Sequence, residues 1–362
     1  MKYIDEYRDG SIARALARRI KITSSRPIRL MEICGTHTMA VFKHGIRSLL
    51  PKTIELISGP GCPVCVTATE EIDRAVKLAR VSDVIVTTFG DMLRVPGSET
   101  SLKQAQARGA DVRMVYSTFD ALNIAAENAD RHVAFLGVGF ETTAPTVAAA
   151  IKTAHERGQS NFSVLSAHKL LPPAMNALLG GGDLKIDGFI CPGHVTTIIG
   201  ISSYKRVARD YHTPCVVVGF EPIDILQGIL MLVEQVERGE AEVEIQYTRG
   251  ASDQGNPGAL RLMDAVFEAC DSRWRGLGTI PRSGLALRET YWAFDARRRF
   301  DLEVPTAGEP PGCRCAEILR GAATPPMCRL FRTVCTPLKP VGPCMVSSEG
   351  TCAAYFKYHA VD

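Results

Sequence analysis

Short apolar runs alternate along the chain with longer stretches in which apolar residues recur every three or four positions. The runs RLMEIC (29–34), IELISG (54–59), DVIVTTFG (83–90) and VRMVYS (112–117) read as buried strands. So do VAFLGVGF (133–140), FSVLSA (162–167), IDGFICPG (186–193) and CVVVGF (215–220). Segments 69–80, 101–109, 120–129, 144–157 and 196–210 carry the helical period. Strand–helix alternation predicts α/β architecture, with parallel sheets covered by helices. Two sets of four strands, parted near residue 130, suit the length. This gives one α/β domain over 1–130 and a second over 131–238. Beyond them, EVEIQYTRG suggests a strand, and 257–271 a helix opened by Pro257. PTAGEPPGC (305–313) has the composition of a linker. Region 239–362 closes in a cysteine-rich module, 313–352, with too little apolar periodicity for a core of its own. VGFETTAP (138–145) and VGFEPID (218–224) form a faint internal echo, both read as strand-to-helix turns.

Composition narrows the classes. Of 362 residues 46% are hydrophobic and 22% charged, enough for a sizeable core. A net charge of +3, with no basic block, argues against a nucleic-acid partner. No stretch reaches the ~18 apolar residues of a membrane span. The charged N-terminus lacks the apolar region of a secretory signal. A cytoplasmic location is expected. Twelve cysteines in a reducing compartment point to metal, cluster or redox chemistry rather than structural disulfides.

The unusual residues gather where predicted strands end, which is where open α/β sheets bind ligands. Cys34-Gly35-Thr36-His37 follows the first strand, Gly59-Pro60-Gly61-Cys62-Pro63-Val64-Cys65 the second, and Thr87-Thr88-Phe89-Gly90-Asp91 the third. Cys191-Pro192-Gly193-His194 ends a later one. A thiolate at Cys34 is a soft ligand for iron, and His37 a second ligand or a proton carrier. The blander reading of Cys34 is packing. Cys62 and Cys65 are spaced CxxC. Thr67 and Glu70 form a capping-box pattern, so a helix is expected to start near Thr67 with Cys65 just ahead of it. That suits thiol–disulfide exchange. Half of a zinc site is the other reading, although no second CxxC exists; Cys34 and His37 are then the completing ligands. Six cysteines, Cys313, Cys315, Cys328, Cys335, Cys344 and Cys352, crowd the tail. Four ligands plus one redox pair account for them, against a structural zinc site with two spare thiols. His168 reads as a satisfied loop histidine, Cys215 and Cys270 as core, and Arg297-Arg298-Arg299 as a solvated face.

MEICGTHT (31–38), GPGCPVCV (59–66), TTFGDMLRVPG (87–97), FLGVGFETTAP (135–145), GFICPGHVTTIIG (188–200) and GPCMVSSEGTCAAYFKY (342–358) together resemble the HypD family of hydrogenase maturation factors. The resemblance runs from about residue 30 to the end. It implies two α/β domains around a cleft and one 4Fe–4S cluster in the C-terminal region. It implies a scaffold for the Fe(CN)2CO group of nickel–iron hydrogenase, working with the small chaperone HypC. A HypE partner is expected to deliver cyanide that originates from carbamoyl phosphate through HypF. By the same resemblance Cys34 matches the iron-binding cysteine, Cys62 and Cys65 a redox pair, and His37, Asp91, His194 and Glu349 polar site residues. Similarity of the tail to ferredoxin–thioredoxin reductase assigns Cys313, Cys328, Cys335 and Cys352 to the cluster, and Cys315 and Cys344 to an adjacent thiol pair; Cys344 and Cys352 are open to exchange. The alternative is a ferredoxin-linked thiol–disulfide oxidoreductase, which leaves Cys34-Gly35-Thr36-His37 without a role.

Overall fold

The computed structural model describes residues 5–181 and 185–359. In chain order its strands are β1 (Ile28–Glu32), β2 (Ile54–Ser58), β3 (Val84–Thr88), β4 (Val112–Met114), β5 (His132–Gly137) and β6 (Phe162–Ser166). They continue with β7 (Gly188–Pro192), β8 (Cys215–Val218), β9 (Val243–Ile245), β10 (Phe267–Trp274) and β11 (Gly278–Leu287). All eight apolar runs are strands. β3 and β7 are buried at every position, as expected of parallel strands covered on both faces.

The strands do not divide at residue 130. One parallel sheet has the order β2-β1-β7-β8-β9 and the other β4-β3-β5-β6. The chain starts the first sheet, leaves after β2, builds the whole second sheet, and returns to place β7 against β1. Residue 130 falls inside the second sheet. Apolar runs mark strands without naming neighbours, so chain order alone suggested sequential sets. β10 and β11 form an antiparallel hairpin apart from both sheets.

Three local expectations change. The helix expected over 257–271 spans Pro257–Val266, capped by Asn256, and 267–271 is the start of β10. The helix expected over 196–210 is two, Gly193–Ile199 and Ser202–Tyr211, broken at Gly200 with φ +65°. A Cβ at Gly200 would lie 2.3 Å from the Asp253 carbonyl oxygen, so the break is where another backbone crosses. Near the CxxC, a four-residue helix Pro63–Val66 precedes the longer Thr69–Ala79. Thr67 ends the first rather than capping the second, its Oγ1 donating to the Pro63 carbonyl at 2.7 Å. Glu70 instead accepts the Ala307 amide and pairs with Arg273 at 3.0 Å.

The tail has only short helices, and it docks rather than standing apart. Its last helix, Thr351–Tyr358, packs on Gly35–Lys43, with the Phe42 and Tyr355 rings 4.4 Å apart. Among the described residues, no helix is long and apolar enough to cross a membrane.

Gly61 marks one of the tightest backbone-to-backbone contacts of the fold. A Cβ there would lie 2.1 Å from the Cys34 amide nitrogen, and the neighbouring Gly35 amide donates to the Gly61 carbonyl at 3.0 Å. Backbone on that side cannot yield as a flexible side chain would. Gly61→Ala is expected to cost about 3 kcal/mol or more; an unchanged denaturant midpoint would contradict this packing.

Candidate functional site

Sheet order sets four strand ends side by side. The segments after β2, β1, β7 and β8 carry Cys62, Cys34, His194 and Phe220 respectively. Cys34 sits at the N-cap of the helix Gly35–Lys43 and is buried. Its Sγ lies 3.9 Å from His194 Nε2. Burial first, and the Glu349 carboxylate second, push the Cys34 thiol up to about 12, against the pull of the Thr36 and His37 amides. Without a bound cation, Cys34 is therefore a neutral thiol. Glu349 arrives from the tail, where it accepts the Thr36 hydroxyl at 2.7 Å. A Cβ on Gly35 would lie 2.6 Å from Glu349 Cβ, so only glycine lets the tail come this close.

His37 points elsewhere. Its Nε2 donates to the carbonyls of Gly219 (2.9 Å) and Val218 (3.2 Å), and its ring stacks on Phe220 at 4.8 Å. Burial lowers it to about 4, so it is neutral, with Nδ1 buried and unpartnered. His37 ties the Cys34 helix to the end of β8. The imidazole beside the Cys34 thiol is that of His194, which shares the Phe220 ring at 4.9 Å. Sequence proximity favoured His37 for that place; sheet order gives it to His194.

Cys62 caps the short helix, its Sγ accepting the Cys65 amide at 3.3 Å. The two sulfurs are 2.6 Å apart and both residues are buried thiols. Cys65 is inside this helix rather than ahead of a long one, and burial raises its thiol well above the ordinary range. The expected dipole assistance to a thiolate is thus outweighed by desolvation. The short helix packs on Pro343–Met345 of the tail, which brings Cys344 next to Cys65. Cys344 in turn lies 2.7 Å from Cys315. The Cys62–Cys65 pair, predicted from one motif, thereby abuts a second thiol pair 250 residues later in the chain.

All six tail cysteines line one tight cavity of about 10 Å³, with Leu330, Phe331 and Met345 among its walls. Cys313, Cys328, Cys335 and Cys352 are the four left once Cys315 and Cys344 pair. Gly342 closes the loop over them, because a Cβ there would lie 2.8 Å from Cys313 Sγ. Among the described residues, no three His, Cys, Asp or Glu side chains converge as on a single metal ion. Thiols distributed around an apolar cavity are the donor type that a polynuclear iron–sulfur cluster takes.

Asp91 comes from the other sheet. It follows β3 and pairs with Arg94 at 3.6 Å. Arg94 donates to the Val346 carbonyl at 3.1 Å, which ties this segment to the tail.

Two buried charges escaped the sequence reading. Arg275, at the end of the hairpin strand β10, donates to the Thr67 carbonyl and to Glu309 at 2.8 Å, with one guanidinium nitrogen unpartnered. Its cation interacts electrostatically with the Cys315 and Cys344 thiols. Nothing local marks it, since RWRG reads as a turn. Glu141, in the GFE motif after β5, is buried, with one carboxyl oxygen accepting the Leu171 amide at 2.9 Å and the other unpartnered. Burial raises it to about 7.

Fold and site together define a parallel α/β protein that gathers three thiol groups, from both ends of the chain, at the carboxyl edge of one sheet. The sequence profile described as "HypD: Hydrogenase formation hypA family" matches residues 11–359. The hydrogenase maturation factor HypD of Azotobacter vinelandii is 51% identical over 367 residues, covering 99% of this chain and 97% of that protein. The hydrogenase maturation factor HypD of Escherichia coli K12 is 46% identical over 368 residues, covering 99% and 98%. The chain belongs to the HypD family of hydrogenase maturation factors.

Glu141 provides a pH test of the buried site. Its folded-state value lies above the ordinary 4.5, so the native state holds a proton that the unfolded chain releases. Stability is full below about pH 4.5 and declines as pH rises to about 7, by about 3 kcal/mol in all. Glu141→Gln should be no more stable than wild type at pH 4.5 and more stable at pH 8. Parallel stability curves for the two proteins would contradict the assignment.

Proposed function

We propose that this protein is the scaffold on which the Fe(CN)2CO group of nickel–iron hydrogenase is assembled, in complex with a HypC-like small chaperone and supplied by a HypE-like cyanide donor. The observation that carries this reading is the contiguity of the thiols. Cys34, beside His194, is the one cysteine at the strand ends with no thiol partner, which suits it to hold the iron being assembled. Cys62–Cys65 is adjacent in the fold, since a Cβ on Gly35 would also lie 3.3 Å from Cys62 Cβ. Cys65 meets Cys344, and Cys344 meets Cys315 beside the tail cavity.

The cavity residues Cys313, Cys328, Cys335 and Cys352 fit a 4Fe–4S cluster; when bound, such a cluster supplies electrons one at a time. The pairs handle electrons by twos. When Cys62–Cys65 is a disulfide, a thiolate of Cys344 attacks Cys65, Cys62 leaves as thiolate, and Cys315 then attacks Cys344 to release Cys65. The products are a Cys62/Cys65 dithiol and a Cys315–Cys344 disulfide, with electrons and atoms conserved. Arg275 stabilises the thiolate that this exchange needs, in a site where burial otherwise opposes charge. His194 is placed to take the Cys34 proton when iron binds, because burial holds its imidazole neutral. Glu349, through Thr36, orients the first turn of the Cys34 helix.

The Cys65–Cys344 contact also favours a thiol–disulfide oxidoreductase linked to an electron carrier. That reading leaves Cys34 and His194 without work, and turnover of a protein disulfide without any chaperone would favour it.

Cys34→Ala should retain the brown cluster absorbance and lose the cyanide and carbonyl infrared bands of the chaperone complex. Retention of those bands would remove Cys34 from the proposed role. Cys328→Ala should lose the cluster absorbance. Anaerobically purified wild type should contain about four irons from the cluster, and zinc in their place would sink the redox reading.

A further inference from the structure

The tail carries a surface pattern that iron assembly does not use. Residues 313–340 hold five cations, Arg314, Arg320, Arg329, Arg332 and Lys339, and one carboxylate, Glu317. That is a net +4 within a chain of net +3, so the remaining residues sum to −1. The one carboxylate is taken by Arg314, and Arg332 turns inward to the carbonyls of Tyr355, Phe356 and His359. Arg329 and Lys339 are exposed, with no acidic partner within ion-pair distance among the described residues.

Apolar side chains accompany these charges. Leu338 is 99% exposed, Met327 54% and Val334 51%. A single exposed apolar residue needs no explanation, but three within a dozen positions mark an interaction surface. They lie on the loops that carry Cys328 and Cys335, which wall the thiol cavity. The same loops thus combine uncompensated positive charge, exposed apolar groups and two of the cavity's thiols.

We infer that the loops around Cys328 and Cys335 dock an acidic one-electron carrier protein through Arg329, Lys339 and Leu338. This rests on the cluster reading of the tail. The step is outer-sphere: the carrier's reduced centre loses one electron, the cluster gains one, and no bond or proton moves. A polar rim of cations speeds encounter with an acidic partner, and apolar contact at the centre holds it. An anionic membrane would also attract cations beside a leucine, but the apolar groups here sit in short loops rather than on an amphipathic helix.

The test uses the full chain, purified anaerobically, with a reduced plant-type 2Fe–2S ferredoxin as the acidic probe. Wild type should bind it, more weakly as salt rises, and its cluster should be reduced by it. Arg329→Glu with Lys339→Glu should weaken binding and slow that reduction by about tenfold or more. Leu338→Asn should weaken binding with the salt dependence intact. In all variants the cluster absorbance and its reduction by dithionite should match wild type. The inference is overturned if the double variant binds and is reduced like wild type. It is equally overturned if wild type ignores the ferredoxin, or binds phosphatidylglycerol vesicles in its place. A chain without cluster absorbance that still binds the ferredoxin, with this charge and salt dependence, would sink the cluster reading alone and leave the docking surface standing.

Discussion

Everything at the site depends on three backbones approaching closer than side chains allow. Gly61 lies against Cys34, Gly35 against Glu349, and Gly350 against Cys344, where a Cβ would come within 2.1 Å of a carbonyl oxygen. The first joins the ends of β1 and β2, the second ties β1's end to the tail, and the third folds the tail on itself. Together they draw the ends of β1 and β2 and the start of the last helix into one knot. The thiols occupy its surface. None of these glycines requires an unusual φ, since only Gly45, Gly200 and others away from the knot are positive. They are glycine because of what lies next to them. The thiol distances follow: a knot looser by one methyl group would separate Cys62 from Cys34 and Cys344 from Cys65.

Burial is the second constraint. Cys34, Cys62, Cys65, Cys315 and Cys344 are almost wholly out of water. At Cys34 and Cys65 desolvation keeps the thiol protonated and therefore a poor nucleophile. Only a compensating charge changes that. At Cys34 the nearest fixed charge is Glu349, which opposes ionisation, so a bound metal cation is the change that would favour the thiolate. At Cys315 and Cys344 the neighbouring thiols and burial raise both groups well above the ordinary range, although the Arg275 cation interacts with them. Both places therefore hold neutral thiols, and they differ in the fixed charge nearby: a carboxylate at Cys34, a guanidinium at Cys315 and Cys344.

The sequence was most informative where chemistry and local pattern coincide. The apolar runs located all eight strands, and the glycine-bracketed cysteines and histidines stood out at their ends. Strand neighbours were not legible, because parallel pairing is set by long crossovers that leave no local mark. That one gap misplaced residue 130 as a boundary and gave His37 the place that sheet order gives to His194. The capping pattern at Thr67 misled for a related reason. Glu70 could close a capping box, but Arg273 and the Ala307 amide compete for it through tertiary contacts. Arg275 and Glu141 were invisible as site residues because their significance is burial beside distant partners.

The interleaved topology also explains why the CxxC lies at the junction. The chain leaves the first sheet immediately after β2, so Pro63–Val66 begins the crossover to the second sheet. A segment there belongs fully to neither sheet and remains open to a third element. The hairpin takes one side, with the Arg275 amide donating to the Val66 carbonyl at 2.9 Å, and the tail takes the other through Cys344. Had the sheets been built one after the other, β2 would have been followed by a return within its own sheet, and a covering helix would have occupied that place. A two-sheet chain that crosses over at its thiol motif leaves the motif accessible to a cysteine-rich tail, and this is the arrangement by which the two thiol pairs meet.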